Sequence, residues 1–177
     1  MGTLIQQHEP GAATSASAEP AEPGLGTATA ATHRVFAVDG WNDVAIARHQ
    51  ARRLAREHGT SPRRAGEVAI VVSELASNIV KYGVRGEITL HVATTAAGGV
   101  ALTVVARDVG PPIHDVATAL RDGYDDRGPL DAAALARRGG LGTGLGAVMR
   151  LADSVEVRQE PGGKQIIATL ARTDQRA

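Results

Sequence analysis

Between Ser61 and Gly83 the chain carries Val68, Val71, Val72, Leu75 and Ile79 at i, i+3, i+4, i+7 and i+11, a stripe that suits an α-helix buried along one face. Ser61 is a good N-cap, Pro62 fits the first helical position and Gly83 supplies a stop, so the spacing predicts a helix from Ser61-Pro62 to Tyr82. Two alternating segments follow. Residues 86–93 put Ile88, Leu90 and Val92 on one side, and residues 100–106 do the same with Val100, Leu102 and Val104, which with a loop at 96–99 predicts a hairpin. A long one-sided helix next to a one-sided hairpin calls for helices packed on a sheet.

The remaining segments extend that scheme. Val35, Phe36 and Val38 predict a strand over 33–38 before the turn signal Asp39-Gly40. A helix capped by Asn42 or Asp43 is expected next, with Val44, Ala47, Ala51, Leu54 and Ala55 inward, Arg48, Arg52 and Arg56 as a basic stripe that is a solvated face or, less simply, a partner-docking surface, and His58-Gly59 as its end. From 109 to 138 periodicity is lost among prolines 111, 112 and 129, which suggests a lid over a ligand. A helix over 147–153, a strand over 155–157, a Pro161-Gly162-Gly163 turn and a strand over 166–170 complete the chain. The order β-α-α-β-β-lid-α-β-β predicts an α+β, two-layer α/β sandwich in which a mixed, mostly antiparallel sheet carries its helices on one face. Residues 1–32 lack large apolar side chains and are expected to be a disordered tail. The expected domain is 33–173, with its lid at about 109–140.

Composition excludes several functions. With 19 basic and 19 acidic residues the net charge is zero, which gives no electrostatic case for a nucleic acid or an anionic membrane as partner. Cysteine is absent, so disulfides, thiolate catalysis and Cys-based zinc sites are excluded. The first ten residues contain no apolar signal-peptide region, and the longest strongly apolar stretch, 69–72, is far short of the ~20 residues of a membrane span. A cytoplasmic location is expected.

Three short pieces carry candidate chemistry. Gly139-Gly140-Leu141-Gly142-Thr143-Gly144-Leu145-Gly146 opens a predicted helix, where uncovered backbone amides suit phosphate. It is G-x-G-x-G without a preceding strand, which disfavours a dinucleotide-binding fingerprint, and the only Gly-Lys pair, Gly163-Lys164, is followed by Gln165, so no Walker sequence is present. A ligand-free flexible connection remains the plain alternative. Glu74 and Asn78, one turn apart, offer a carboxylate and an amide to hydroxyl and magnesium chemistry, or simply a polar helix surface. Asp108 after the second hairpin strand can accept from an adenine amino group or act as a turn residue before Gly110-Pro111-Pro112. His33, His49, His58, His91 and His114 lack metal-ligand spacing, and Ser73, Ser77 and Ser154 lack a nucleophile-elbow context.

Glu74-Leu75-Ala76-Ser77-Asn78-Ile79 resembles the N-box, Asp108-Val109-Gly110 the first glycine box, and residues 140–146 the second, of the GHKL (Bergerat-fold) ATPases. The core from about 34 to 171 resembles the RsbT/RsbW type of anti-sigma regulatory serine/threonine kinase. Details of the RsbT-like branch are Asp43-Val44-Ala45-Ile46-Ala47-Arg48, Arg121-Asp122-Gly123-Tyr124 in the lid, and Arg150-Leu151-Ala152-Asp153 after the second glycine box. The resemblance implies the Bergerat fold, ATP and Mg2+, with Glu74 as general base on a serine or threonine hydroxyl and Asn78 as the magnesium ligand. It implies that Asp108 holds the adenine amino group, that Gly110 permits close approach of the base, and that Gly140, Gly142, Thr143, Gly144, Leu145 and Gly146 form the phosphate end. Phosphoryl transfer rests mainly on positioning and charge compensation, which such a set provides. The implied partner is a STAS-domain antagonist, phosphorylated in a stress or sigma-factor pathway, with a PP2C-type phosphatase, a sigma factor and a homodimer as further options. One departure stands out. The family pattern is Asp-x-Gly-x-Gly, and here Pro112, which has no N–H, takes the place of the second glycine. It motivates an alternative: a partner-binding module, with or without nucleotide, that transfers no phosphoryl group.

Overall fold

The computed structural model describes residues 30–94, 99–120, 124–125, 128–129 and 144–171. Within them the chain forms β1 (Ala30–Val38), α1 (Trp41–Glu57), α2 (Pro62–Tyr82), β2 (Gly86–Thr94), β3 (Val100–Asp108), α3 (Val116–Ala119), β4 (Tyr124–Asp125), β5 (Gly128–Pro129), α4 (Gly144–Leu151), β6 (Ser154–Glu160) and β7 (Gly163–Ala171). The main sheet has the order β1-β2-β3-β7-β6, and every neighbouring pair is antiparallel. The architecture is therefore the expected α+β sandwich, but the sheet is not mixed. β3 and β6 run in the same direction across α4, and the hairpin strand β7 inserts between them, so the parallel pair never becomes adjacent.

The core is one layer thick between helices and sheet. Ala47, Ala51 and Leu54 of α1 and Val68, Val71, Val72, Leu75 and Ile79 of α2 meet Ile88, Leu90, Leu102, Val104, Ala168 and Leu170 of the sheet in one buried cluster. The alternate positions Thr89, Thr103 and Thr169 point to the opposite face, as the two-residue period of a strand requires.

Several boundaries differ from expectation for identifiable reasons. β1 begins at Ala30, where Ala30, Ala31 and Thr32 pair with Thr94, Ala93 and Val92, so the first three strand residues come from the stretch expected to be tail; residues 1–29 lie outside the described part. Edge pairing, not side-chain burial, recruits them. The N-cap of α1 is Gly40. Asp43 sits at the third helical position, and its Oδ2 accepts from the amides of Asp39 (3.0 Å) and Gly40 (2.9 Å). The acid does reach an orphan donor, but from inside the helix. α4 starts at Gly144, within the glycine run, and ends at Leu151. Burial of Leu145, Ala147 and Val148 outweighs the poor helix propensity of Gly144 and Gly146. In the segment expected to be irregular, Asp115 caps α3 by accepting from Thr118 N (2.9 Å) and Oγ1 (2.7 Å), and Ala119 and Leu120 enter the core. Among the described residues, no helix is long and apolar enough to cross a membrane.

Arg64 fixes the start of α2 against the far end of the fold. Its guanidinium donates to Leu151 O (3.1 Å), Asp153 Oδ2 (2.6 Å) and Ala171 O (3.0 Å), and pairs with Glu67 at 2.9 Å. This locks α4 alongside α2, and Gly144 and Leu145 at the start of α4 border the same cavity as Leu75, Asn78 and Ile79 of α2.

Candidate functional site

The C-terminal turns of α2, the end of β3, the loop 110–114, α3, the start of α4 and β7 enclose a cavity of about 350 Å³. Asn78, Asp108, Gly144 and Leu145 all line it, so four of the sequence candidates meet in one place. Leu75, Ile79, Ala106, Ile113, Leu145 and Ile166 supply apolar walls. A cleft of this size, mostly apolar with a few convergent polar groups, is the usual form of a small-molecule site.

Asp108 is the polar anchor of the cavity. It is the last residue of β3, 5% exposed, and lies opposite Lys164 in the β3–β7 register. Its Oδ1 accepts from Lys164 Nζ at 2.7 Å and from Gly110 N at 2.8 Å. Lys164, 8% exposed, also donates to Pro111 O at 2.9 Å. The chain around Asp108 is held by close backbone approach. A Cβ on Gly110 would lie 2.8 Å from Asp108 Oδ1, Gly83 Cα and Tyr82 O, and one on Gly83 would lie 2.7 Å from Ile79 O and 2.9 Å from Asp108 Cγ. The end of α2 can therefore pack onto the Asp108 turn only because both residues are glycine.

The other candidates are placed less uniformly. Asn78 is half-buried in the cavity wall. Glu74, one turn earlier, is 3% exposed and is not among the lining residues. Gly110 packs against Asp108 behind the cavity, and Gly146 is buried in α4. Gly144 opens α4 with φ at +58°, a left-handed conformation that favours glycine. Gly140, Gly142 and Thr143, the lid residues Arg121, Asp122 and Gly123, and Arg137 and Arg138 lie outside the described residues.

Sequence reasoning missed Lys164 and Gly83. Lys164 is one of only two lysines in the chain, and its partner is 56 residues away, visible only once β3 and β7 are paired. Pro111 and Pro112 also line the cavity, so the departure at 112 falls on the site wall.

No group of three His, Asp or Glu side chains suited to a cation occurs among the described residues. Asn78 offers a single amide oxygen to the cavity. That donor set fits magnesium only when phosphate oxygens and water complete the shell, which is how this ion is commonly bound.

The histidine kinase-like ATPase domain matches this chain over residues 41–170, from the first residue of α1 into β7. The serine/threonine-protein kinase RsbT of Bacillus subtilis (strain 168) is 31% identical over 120 residues, 68% of this chain and 81% of that protein. Among solved structures, the RsbU and RsbW domains of Rv1364c from Mycobacterium tuberculosis superpose with a TM-score of 0.50 at 19% identity, covering 82% of this chain. This chain spans about a third, 34%, of that one, and the likeness is one of fold.

Proposed function

The chain belongs to the histidine kinase-like ATPase domain family, and from that premise we propose that it is an ATP- and magnesium-dependent protein serine/threonine kinase. Its substrate is a STAS-domain antagonist in a bacterial partner-switching pathway of the cytoplasm. The observation that carries this reading is the shared cavity, where strand-end Asp108, Asn78 of α2 and the Gly144–Leu145 start of α4 line one open cleft. The 31% identity to a protein named as a serine/threonine kinase supports the reaction class.

In this reading the apolar walls take the adenine ring, and the Asp108 carboxylate accepts from its amino group. The amides of the glycine run surround the phosphates at the N-terminus of α4. Asn78 would hold magnesium through its amide oxygen, and the ion would supply compensation of phosphate charge there. Glu74, one turn from Asn78 on the same helix, orients the incoming hydroxyl and takes its proton. Because Glu74 is buried, this role requires the α2 face to open to the substrate hydroxyl when the partner docks.

A second reading is a partner-binding module without transfer activity. Two observations favour it: Pro112 stands in the cavity wall in place of glycine, and Glu74 does not line the cavity. Incubation with radiolabelled ATP, magnesium and STAS-domain proteins encoded in the same genome separates the readings. The kinase reading expects label on a serine or threonine of the STAS protein; a stable complex with no label favours the module.

A further inference from the structure

We propose that Lys164 reads the ring nitrogen N1 of adenine directly, beside Asp108, and so sets the base specificity of the cavity. The proposal rests on the nucleotide reading above and names the residue that completes its base-binding edge.

Lys164 holds the spare hydrogen-bond donor of this wall. Backbone N–H groups are the usual source of a donor to a bound base, but the turn at 109–113 has none to spare. Val109 N donates to Val84 O (3.0 Å), Gly110 N to Asp108 Oδ1 (2.8 Å) and Ile113 N to Gln159 Oε1 (2.6 Å). Pro111 and Pro112 have no N–H at all. The lysine ammonium has three N–H bonds. Two are engaged, by Asp108 Oδ1 at 2.7 Å and Pro111 O at 2.9 Å, and the third has no partner among the described residues. Lys164 is 8% exposed and lines the cavity, so the cavity and what fills it are left to take that third bond.

Asp108 shows the complementary surplus. Both of its hydrogen bonds fall on Oδ1, and none to Oδ2 occurs among the described residues. The wall therefore presents an acceptor, Asp108 Oδ2, on the same carboxylate whose Oδ1 holds the donor Lys164 Nζ at 2.7 Å. Adenine carries the matching pair on its Watson–Crick edge, the amino N–H at C6 as donor and N1 as acceptor. Guanine reverses both, with an oxo group at C6 and a hydrogen on N1. A buried ion pair contributes little to stability by itself; a ligand acceptor on the third N–H gives this one a binding role.

The test compares three diphosphates on the full-length wild-type protein by calorimetric titration: ADP, 1-deaza-ADP, in which N1 is replaced by C–H, and purine riboside diphosphate, which lacks the C6 amino group. The expected result is an affinity for ADP at least about tenfold above that for 1-deaza-ADP, the loss of one hydrogen bond to a charged donor. Lys164→Met is expected to bind ADP and 1-deaza-ADP equally, while still discriminating against purine riboside diphosphate through Asp108. Equal wild-type affinities for ADP and 1-deaza-ADP overturn the role of Lys164 while leaving the nucleotide site standing. Absence of any ADP binding overturns the site and the lysine together. Should Lys164→Met fail to fold, the wild-type titrations decide alone.

Discussion

Lys164 Nζ lies 2.7 Å from Asp108 Oδ1 between two side chains that are 7% and 6% exposed, at directly paired positions of β7 and β3. The pair joins the central strand of the sheet to the last hairpin at the edge of the cavity, and it fixes the carboxylate that the proposed base contact uses. Taking two charges out of water is costly, so the pair holds only while both partners are present.

Removing one partner therefore exposes the cost of burying the other. Lys164→Met is expected to destabilise the fold by about 3–5 kcal/mol, and the double variant Asp108→Leu/Lys164→Met to recover most of that loss. Urea denaturation of the three proteins checks both statements. A single variant as stable as the wild type would show that Asp108 reaches water in the folded state.

The glycines around Asp108 make a steric prediction with an internal control. Gly83→Ala and Gly110→Ala each place a methyl group under 3 Å from backbone atoms that have no room to move, and each is expected to cost about 1–3 kcal/mol and to weaken nucleotide binding. Gly66, within α2, has nothing within 4 Å of an added Cβ, so Gly66→Ala is expected to stabilise by about 0.5–1 kcal/mol with binding unchanged. Thermal unfolding and an ADP titration on each variant distinguish the two classes.

In the proposed reaction Glu74 takes the proton of the incoming hydroxyl. Glu74→Gln keeps a side chain of the same shape, so nucleotide affinity is expected to stay at the wild-type level while phosphoryl transfer to the STAS protein falls by about 10²–10⁴. Transfer at the wild-type rate by Glu74→Gln would remove the residue from the chemistry.

Acid sensitivity has an identifiable contributor at the other end of α2. Burial raises the affinity of the Glu67 carboxyl for its proton, but hydrogen bonds from Arg64 and Arg63 outweigh that and hold it below the usual carboxylate value of 4.5. A carboxyl depressed in the folded state contributes stability above its unfolded pKa and loses it as pH falls through the folded one. Glu67→Gln is therefore expected to lower the melting temperature at pH 7 and to match the wild type more closely at pH 3. A gap that stays constant across that range would show that the arginines contribute nothing through ionisation.

The elements that owe their form to local pattern were readable from sequence. The stripe from Val68 to Ile79 and the Ser61-Pro62 start match α2, where Ser61 Oγ accepts from Arg64 N at 3.1 Å. The hairpin β2–β3 follows from alternation at Ile88, Leu90, Leu102 and Val104. What escaped is decided by tertiary contact. The Gly40 cap is indistinct because glycine has no side chain and the capping carboxylate belongs to Asp43. The early start of α4 depends on burial of Leu145, which no propensity conveys. At the site, motif order points to the convergence of Asn78 and Asp108 but not to Lys164, since only the β3–β7 register brings the lysine to Asp108.

The central claim is that the cavity between α2, β3, α4 and β7 holds an adenosine nucleotide through Asp108. Calorimetric titration of the full-length protein with ATP in the presence of magnesium tests it most directly. The account predicts saturable binding at one site per chain that weakens at least about tenfold in Asp108→Asn. Heat indistinguishable from dilution for the wild type, or equal affinity in the two proteins, would contradict it.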